Sequence, residues 1–372
     1  MNLYIHIPFC RRKCFYCDFY SVEYDKDLGS AYSGVLCRQI EKLEGKFSTI
    51  FIGGGTPTVL DVFSLEKILK RLSRLSAGMS EFTIEANPES LTKEKADLFI
   101  SRGCNRISIG GQSFCSEKLN KLGRTHCLAD VARAVTIAQK AGFKNINLDL
   151  IFGVWGGDLD SWMKELRRAV TYPLTHISVY ALTLEKNTPF FKAVKKNQIT
   201  PLDDDIVAKM YGFAMDYLPR RKFHQYEVSN FSKEGHRCRH NLNYWENNSY
   251  VGIGPSAVSL RLGLREKNVA DIKSYIKKAK SGESVVSFKE KLSQVKSAKE
   301  FAAVKIRTKE GIDFAAFKHR FGFDFLDLEA DAVRDLRKQK LLNYRLKKGI
   351  KTGVCLTRKG FLFCDEVSSS FL

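Results

Sequence analysis

The sequence predicts an α/β chain: a parallel sheet, open or curled into a partial barrel, then an α+β region with a winged-helix-like end. Three observations carry this. Short apolar or β-branched runs start near Leu3, Ser48, Glu81, Asn105, Asn145 and Thr175 and alternate with helical periods. Strands separated by crossover helices pair in parallel. Helical spacing is explicit in Val131, Ala134, Val135 and Ala138, and again in Leu159, Trp162, Met163 and Leu166. The alternation stops after Leu182, where Pro189, Pro201 and the acids Asp203, Asp204 and Asp205 mark a boundary.

These signals divide the chain into a barrel over 1–185, an extension completing the barrel side over 186–290, and a basic winged-helix-like domain over 291–372. In the extension the acids open a helix whose apolar stripe is Ile206, Met210, Phe213 and Tyr217. A strand is expected at Gln225–Val228, then a loop dense in His, Asn and aromatics up to Tyr250. From about Leu292, helices lead into short strands around Leu341–Leu346 and Val354–Thr357.

Composition sets bounds. The 372 residues are 44% hydrophobic and 27% charged, the balance of an ordinary soluble chain. No uncharged apolar run is long enough for a transmembrane helix. The opening Leu3-Tyr4-Ile5-His6-Ile7 shows neither a basic nor an apolar leader segment, so the expected location is cytoplasmic. Sixty-one Lys/Arg against 41 Asp/Glu give a net charge of +20. Residues 261–372 hold 26 Lys/Arg against 14 Asp/Glu. Such an excess suits nucleic acid, a membrane surface or a multiply anionic small molecule, and a solvated Lys-rich surface produces it too. Nucleic acid is the least favoured of these, because winged helices often serve as covers or partner modules.

Ten cysteines without a secretory leader point away from disulfides. Cys37, Cys104, Cys115, Cys127, Cys238, Cys355 and Cys364 are scattered and read as small core hydrophobes. Cys10, Cys14 and Cys17 are different, forming Cys-x3-Cys-x2-Cys in the loop after the first strand. Three thiolates so close must wrap an object. An iron–sulfur cluster fits, and three protein ligands leave one iron open to a small molecule. With a fourth ligand such as His6, the same thiols would make a tetrahedral zinc site. Gly53, Gly54 and Gly55 after the second strand allow close backbone approach to a ligand, or simply a tight turn. Glu85, Gln112, Arg124 and Asp149 stand at or just beyond strand ends, the functional edge of a parallel sheet; solvation is their plainer reading.

The cysteine spacing is the signature of the radical SAM superfamily, and the chain resembles its coproporphyrinogen oxidase-like group. The resemblance runs from Tyr4-Ile5-His6-Ile7-Pro8-Phe9-Cys10 through Gly53-Gly54-Gly55-Thr56-Pro57-Thr58, Glu85-Ala86-Asn87-Pro88, Gly111-Gln112-Ser113-Phe114, Leu122-Gly123-Arg124-Thr125-His126 and Asp149-Leu150-Ile151-Phe152-Gly153. It continues through Tyr180-Ala181-Leu182-Thr183, Tyr226-Glu227-Val228-Ser229-Asn230-Phe231 and His240-Asn241-Leu242-Asn243-Tyr244-Trp245.

The resemblance implies a partial (β/α)6 barrel, a [4Fe–4S] cluster on Cys10, Cys14 and Cys17, and S-adenosylmethionine (SAM). By the same resemblance Tyr4, Gly54, Gly55, Thr56, Glu85, Gln112, Arg124, Asp149 and Ala181 match SAM-contacting positions, and Tyr16 packs near the cluster. The group contains oxygen-independent coproporphyrinogen III oxidases, which decarboxylate propionates to vinyls, and haem chaperones of the HemW type. The oxidases carry a further Cys where this chain has Phe19. They also have a long arm before the first strand, which here begins near Leu3. Both features favour a haem chaperone, with haem as cargo and a haem-accepting protein as partner. His240 is then the first choice as haem ligand and Tyr244 the second, with Arg237 and Arg239 placed to pair with propionates. Gly111 and Trp155 depart from the group's pattern, where an apolar residue and a proline are usual.

Overall fold

In the computed structural model, which describes residues 1–75 and 78–372, six parallel strands form the centre of a twelve-stranded sheet. They are β1 (Asn2–Ile7), β2 (Thr49–Gly54), β3 (Glu81–Ala86), β4 (Arg106–Gln112), β5 (Asn145–Phe152) and β6 (His176–Ala181). Each pairs in parallel with the next, so their C-terminal ends share one edge. Every strand begins within a residue of where the sequence places it.

Side chains alternate along each strand. One face is apolar: Leu3, Ile5 and Ile7, Ile50 and Ile52, Phe82 and Ile84, Ile107 and Ile109, Leu148 and Leu150, Ile177 and Val179 belong to one buried core. Against it pack helices such as Leu128–Ala141, whose buried residues are Val131, Ala134, Val135 and Ala138, as the spacing predicts. In helix Leu159–Ala169, Trp162 and Leu166 are buried, but Glu165 takes the place beside them and Met163 sits at the rim. Glu165 is buried because Lys118 Nζ pairs with it at 2.6 Å.

The extension adds strands to both edges of the sheet. Asn230–Ser232 lies antiparallel to β6 on one side, and Tyr250–Ile253 lies parallel to β1 on the other. Asp203 caps helix Asp204–Arg220, as the acids predict. That helix buries Met210, Tyr211, Ala214 and Leu218, one position round from the expected stripe, leaving Ile206, Phe213 and Tyr217 half-buried. The expected strand at Gln225–Val228 is shorter, covering His224–Gln225, because Tyr211 Oη donates to Val228 O and Glu227 turns aside to bridge Thr308. At the C-terminal end, helices Gln294–Lys305, Phe314–Phe321 and Phe325–Lys338 pack with a three-stranded sheet ending in the hairpin Leu342–Lys347 and Ile350–Leu356. Among the described residues no helix is long and apolar enough to cross a membrane.

The expected loop before Tyr250 contains a helix, Arg239–Trp245, seated against the N-terminal ends of the barrel strands. Glu81, the first residue of β3, holds it there. Its carboxyl oxygens accept from Arg239 N at 2.7 Å and His240 N at 3.1 Å, and from Cys238 Sγ at 3.4 Å. Helix N-termini leave such N–H groups unpaired and favour an acidic partner. His240 is pinned from β2 by Thr49 Oγ1 at 2.7 Å from its Nδ1 and lies 5.1 Å from the Phe51 ring.

Replacing Glu81 by Ala strands those donors in the interior. The expected loss is about 2–4 kcal/mol, read as a lower urea midpoint of the apoprotein. Glu81→Asp, with a shorter reach, falls between the two.

Candidate functional site

The cysteine loop leaves β1 and is tied down on all sides. Gly55 N donates to Ile7 O at 2.8 Å and Thr56 N to Phe9 O at 2.7 Å, linking it to the glycine segment after β2. Tyr24 N closes it at Cys10 O, 2.9 Å away, and Phe15 N reaches Leu122 O at 3.2 Å. Cys10, Cys14 and Cys17 are free thiols, each partly exposed. Thr56 Oγ1 donates to Cys10 Sγ at 3.6 Å, and Arg124 Nη1 to Cys14 Sγ at 3.4 Å. Burial raises the Cys17 thiol to about 11 and the Cys10 thiol above its usual value, so binding a metal centre here would release their protons.

Among the described residues no three His, Cys, Asp or Glu side chains gather around a single-ion point. His6 is also unavailable as a fourth zinc ligand: its Nδ1 meets Tyr4 Oη at 3.0 Å and its Nε2 meets Tyr20 O at 2.8 Å. Three soft sulfur donors with a neighbouring guanidinium to balance negative charge fit an iron–sulfur cluster.

The glycine segment has a steric reason within the protein itself. Gly54 has φ +112°, and a Cβ there would lie 2.6 Å from the His6 ring. At Gly55 a Cβ would lie 2.5 Å from Phe9 O. The three-glycine run therefore seats the cysteine loop, whatever else it meets.

The other face of the barrel sheet is polar, carrying Glu85, Arg106, Ser108, Asn147, Asp149 and His176. Ser108 Oγ donates to Asp149 Oδ2 at 3.1 Å, and Asn147 Nδ2 lies 2.8 Å from Asp149 Oδ1. Asn147 Oδ1 in turn meets His176 Nδ1 at 2.6 Å, and His176 Nε2 meets Tyr226 Oη at 2.8 Å. Tyr226 Oη accepts from Cys238 N at 3.2 Å. One hydrogen-bonded chain thus joins the helix on the barrel floor to Asp149. Burial, then Arg106, holds His176 well below its usual pKa and therefore neutral. Burial opposes the Arg106 charge, yet Cys238, Glu81, Tyr226 and Asp149 around it keep the guanidinium protonated.

Glu85 lies on the same polar face and accepts from Gly54 N at 3.2 Å. Burial, reinforced by Asp149, pushes it up to about 8, so at neutral pH it presents an O–H. Burial raises Asp149 as well, against the hydrogen bonds of Ser178, Asn147 and Ser108. Burial, then the neighbouring Glu85, raises the Tyr4 phenol well above its usual value. Gln112 ends β4 with φ +63°, after an irregularity in the pairing with β5. Arg124 is fixed by Asn87 Oδ1 at 2.7 Å and Gly110 O at 2.8 Å. Ala181 ends β6 and is exposed. Tyr16 packs with Leu122, Ile151 and Val154 in a small cluster apart from the main core.

Thr56, Glu85, Gln112 and Arg124 thus stand at or just beyond the C-terminal ends of the strands with the cysteine loop, whereas Tyr4 and Asp149 lie inside their strands and His240 and Tyr244 lie at the opposite end. Sequence reasoning missed Ser108, Asn147, His176 and Ser178, and singled out Tyr226 only as part of a motif, without a site role. The polar alternation in Arg106-x-Ser108, Asn147-x-Asp149 and His176-x-Ser178-x-Tyr180 was the available signal.

The two departures have local causes. A side chain at Gly111 would meet Leu148 Cδ1 at 2.7 Å. Trp155 stacks on Phe190 with ring centroids 4.9 Å apart, and Phe190 N donates to Phe15 O in the cysteine loop at 3.0 Å. Trp155 therefore buttresses the loop. Three of the scattered cysteines are not core hydrophobes: Cys127 is exposed before helix Leu128–Ala141, and Cys115 and Cys355 are partly exposed.

His240 also differs from its expected setting. It is buried in a helix, with Nδ1 at Thr49 and Nε2 3.1 Å from Tyr244 Oη. Neither ring nitrogen is free for iron, and burial, then Arg106, pushes the imidazole down to about 3. Arg237 pairs with Glu310 at 2.7 Å.

Comparisons with known proteins agree with this geometry. Residues 4–169 match the radical SAM superfamily and residues 292–363 match the HemN C-terminal domain. The chain is 34% identical over its whole length to heme chaperone HemW of Lactococcus lactis, covering 97% of that protein. It is 33% identical to heme chaperone HemW of Bacillus subtilis, covering all of this chain and 99% of that one. To heme chaperone HemW of Escherichia coli it is 38% identical over 69% of each chain. The solved coproporphyrinogen III oxidase HemN of Escherichia coli shares the fold, with a TM-score of 0.85 over 100% of this chain and 89% of that one, at 19% identity. Full-length identity above 30% to relatives of one kind, with the superfamily's barrel and cysteine loop, places this chain in the HemW family of radical SAM proteins.

Proposed function

We propose that this protein is a haem chaperone: it binds haem as cargo, holds a [4Fe–4S] cluster and SAM, and passes haem to an acceptor protein in the cytoplasm. The observation that carries this reading is similarity to heme chaperones along the entire chain, first strand to last helix. Phe19 supports it. The ring stands beside the cysteine loop at 68% exposure, where the oxidases would place another cysteine. We further propose that the parts 1–185, 186–290 and 291–372 work as barrel, barrel-side extension and C-terminal cover. The basic surface, at a net +20, suits association with an anionic membrane surface.

The superfamily implies a [4Fe–4S] cluster and SAM. Such a cluster supplies electrons to SAM when both are bound. The chain's part is to hold and orient. Cys10, Cys14 and Cys17 supply three thiolates, and Arg124 balances their charge. Gly54, Gly55 and Thr56 border the loop beside the position for the amino-acid end of SAM. Tyr4, Glu85, Gln112, Asp149 and Ala181 line the remainder, and Tyr16 fills the space behind the loop. Neutral Glu85 can donate a hydrogen bond to a ligand without burying a second negative charge beside Asp149.

Four outcomes test this. Anaerobic reconstitution should give close to four iron and four sulfide per chain, and replacing the three cysteines by Ala should remove them; retention would end the cluster assignment. Asp149→Ala should weaken SAM binding to the reduced cluster about tenfold or more, in line with the loss of one charged hydrogen-bonding group, as read by the change in the cluster's spectrum.

The third outcome concerns pH. Glu85 has a folded pKa of about 8, above its ordinary value, so its contribution to stability is full at low pH and is lost as pH rises towards 8. Glu85→Gln should therefore flatten the fall in apoprotein melting temperature between about pH 5 and 8. A parallel fall in the variant would show that Glu85 does not titrate in that window.

The fourth is a haem titration. The wild type should bind haem and form no protoporphyrinogen in an anaerobic decarboxylase assay. His240→Ala should lower stability by about 2–3 kcal/mol through its lost hydrogen bonds and packing and leave the Soret band unchanged. Loss of that band would make His240 a ligand after its two bonds open. Failure of the wild type to bind haem would end the chaperone reading.

A further inference from the structure

The tip of the C-terminal hairpin has features that neither the barrel site nor the core uses. Its strands, Leu342–Lys347 and Ile350–Leu356, are joined through Lys348 and Gly349, with φ of +51° and +79°. Two positive φ values make the tight turn whose twist matches its strands, so the tip is a rigid projection. Leu346 is 64% exposed and Ile350 70% exposed on either side of that turn. Between residues 336 and 352 there are seven Lys/Arg and no Asp/Glu. Tyr344 lies between two of these cations, with Arg337 at 4.1 Å and Lys351 at 4.3 Å from its ring centroid. Among the described residues, the ion pairs of this stretch are Lys338 with Asp335 and Arg345 with Asp313. Lys347, Lys348 and Lys351 have no acidic partner there.

We propose that this hairpin tip docks the protein on an anionic lipid bilayer, with Leu346 and Ile350 entering the headgroup boundary and the lysines meeting lipid headgroup charges. Apolar side chains ringed by cations are the combination such a surface selects, since each component alone binds weakly. Lysine stems can follow the apolar residues inward while their ammonium groups stay at the headgroups. A duplex nucleic acid, the usual occupant of a basic wing, is a poorer fit, because phosphate contacts would use the lysines and leave the exposed Leu346 and Ile350 without a partner.

This inference rests on the membrane-surface reading given above and locates its contact. The test is co-sedimentation of the full-length protein with vesicles of phosphatidylglycerol and phosphatidylcholine, and with phosphatidylcholine alone. The wild type should bind the anionic vesicles in a salt-sensitive way and the neutral ones weakly. Leu346→Ser with Ile350→Ser should lower affinity for anionic vesicles about tenfold or more. Lys347→Glu with Lys348→Glu should lower it further, because each substitution reverses a charge worth about fivefold at such a surface. Lys70→Glu with Lys140→Glu, on barrel helices, should change it much less. All these sites are exposed, and an unchanged far-ultraviolet spectrum checks folding. Leu346→Trp should add to the emission of the native tryptophans a component that shifts to the blue on anionic vesicles.

If the wild type sediments and the Leu346/Ile350 variant sediments equally, the tip is not the contact although the membrane reading stands. If the wild type binds no vesicle, both fall. Binding of duplex DNA in place of vesicles, lost with the lysines and kept with the serines, would make the wing a nucleic-acid element and overturn the proposal.

Discussion

A parallel sheet covered on both sides ordinarily carries apolar side chains on both faces. Here one face carries Glu81, Glu85, Arg106, Ser108, Asn147, Asp149 and His176, four of them 3% exposed or less. Each must find a partner inside the protein or cost free energy. Some pair across the strands, as Ser108 with Asp149 and Asn147 with His176, and the extension supplies further partners: Tyr226 reaches His176, and helix Arg239–Trp245 gives its free N–H groups to Glu81. The polar face of the barrel thus depends on chain that lies 50 to 159 residues away in sequence. This explains why the barrel and its extension share one hydrophobic core.

The same requirement separates two kinds of polar residue. Those at the strand beginnings are mostly engaged, Arg106 Nε excepted. His240 uses both ring nitrogens, and Glu81 accepts from four groups, Thr83 Oγ1 among them. Those nearer the C-terminal ends retain unused capacity. Glu85 accepts one backbone N–H and holds a proton, and Tyr180 stands 39% exposed at the end of β6. A ligand entering from the cysteine-loop side meets groups able to change partners, whereas the floor would have to break existing bonds. The asymmetry agrees with the rule that parallel sheets work from the carboxyl ends of their strands.

Much of this was legible in the sequence. The strand starts followed from apolar runs, and the buried face of Leu128–Ala141 followed from its helical period, because both are set by local chain geometry. The convergence of the cysteine loop, Gly54, Glu85, Gln112 and Arg124 followed from their places near strand ends. The helix at Arg239–Trp245 was not legible. Its residues have weak helical preference and no apolar period, and its start is fixed by Glu81, distant in sequence. His240 and Tyr244 stand four apart, the spacing that puts them on one helix face, but that signal is equally the spacing of a ligand pair.

The glycines after β2 show how a site and its scaffold can impose one sequence for two reasons. A side chain at Gly54 would strike His6, and one at Gly55 would strike the backbone at Phe9, so neither can change without moving the segment that carries Cys10. His6 is held by Tyr20 and Tyr4, and Tyr20 Oη accepts from Ile272 N in the extension at 2.9 Å. The position of the cysteine loop is thereby fixed from three directions: the glycine segment, the Trp155–Phe190 stack, and the extension through Tyr20. A loop over-determined in this way has its backbone held in place by the protein alone. Ordering entropy that a flexible loop would lose on binding is then already lost on folding.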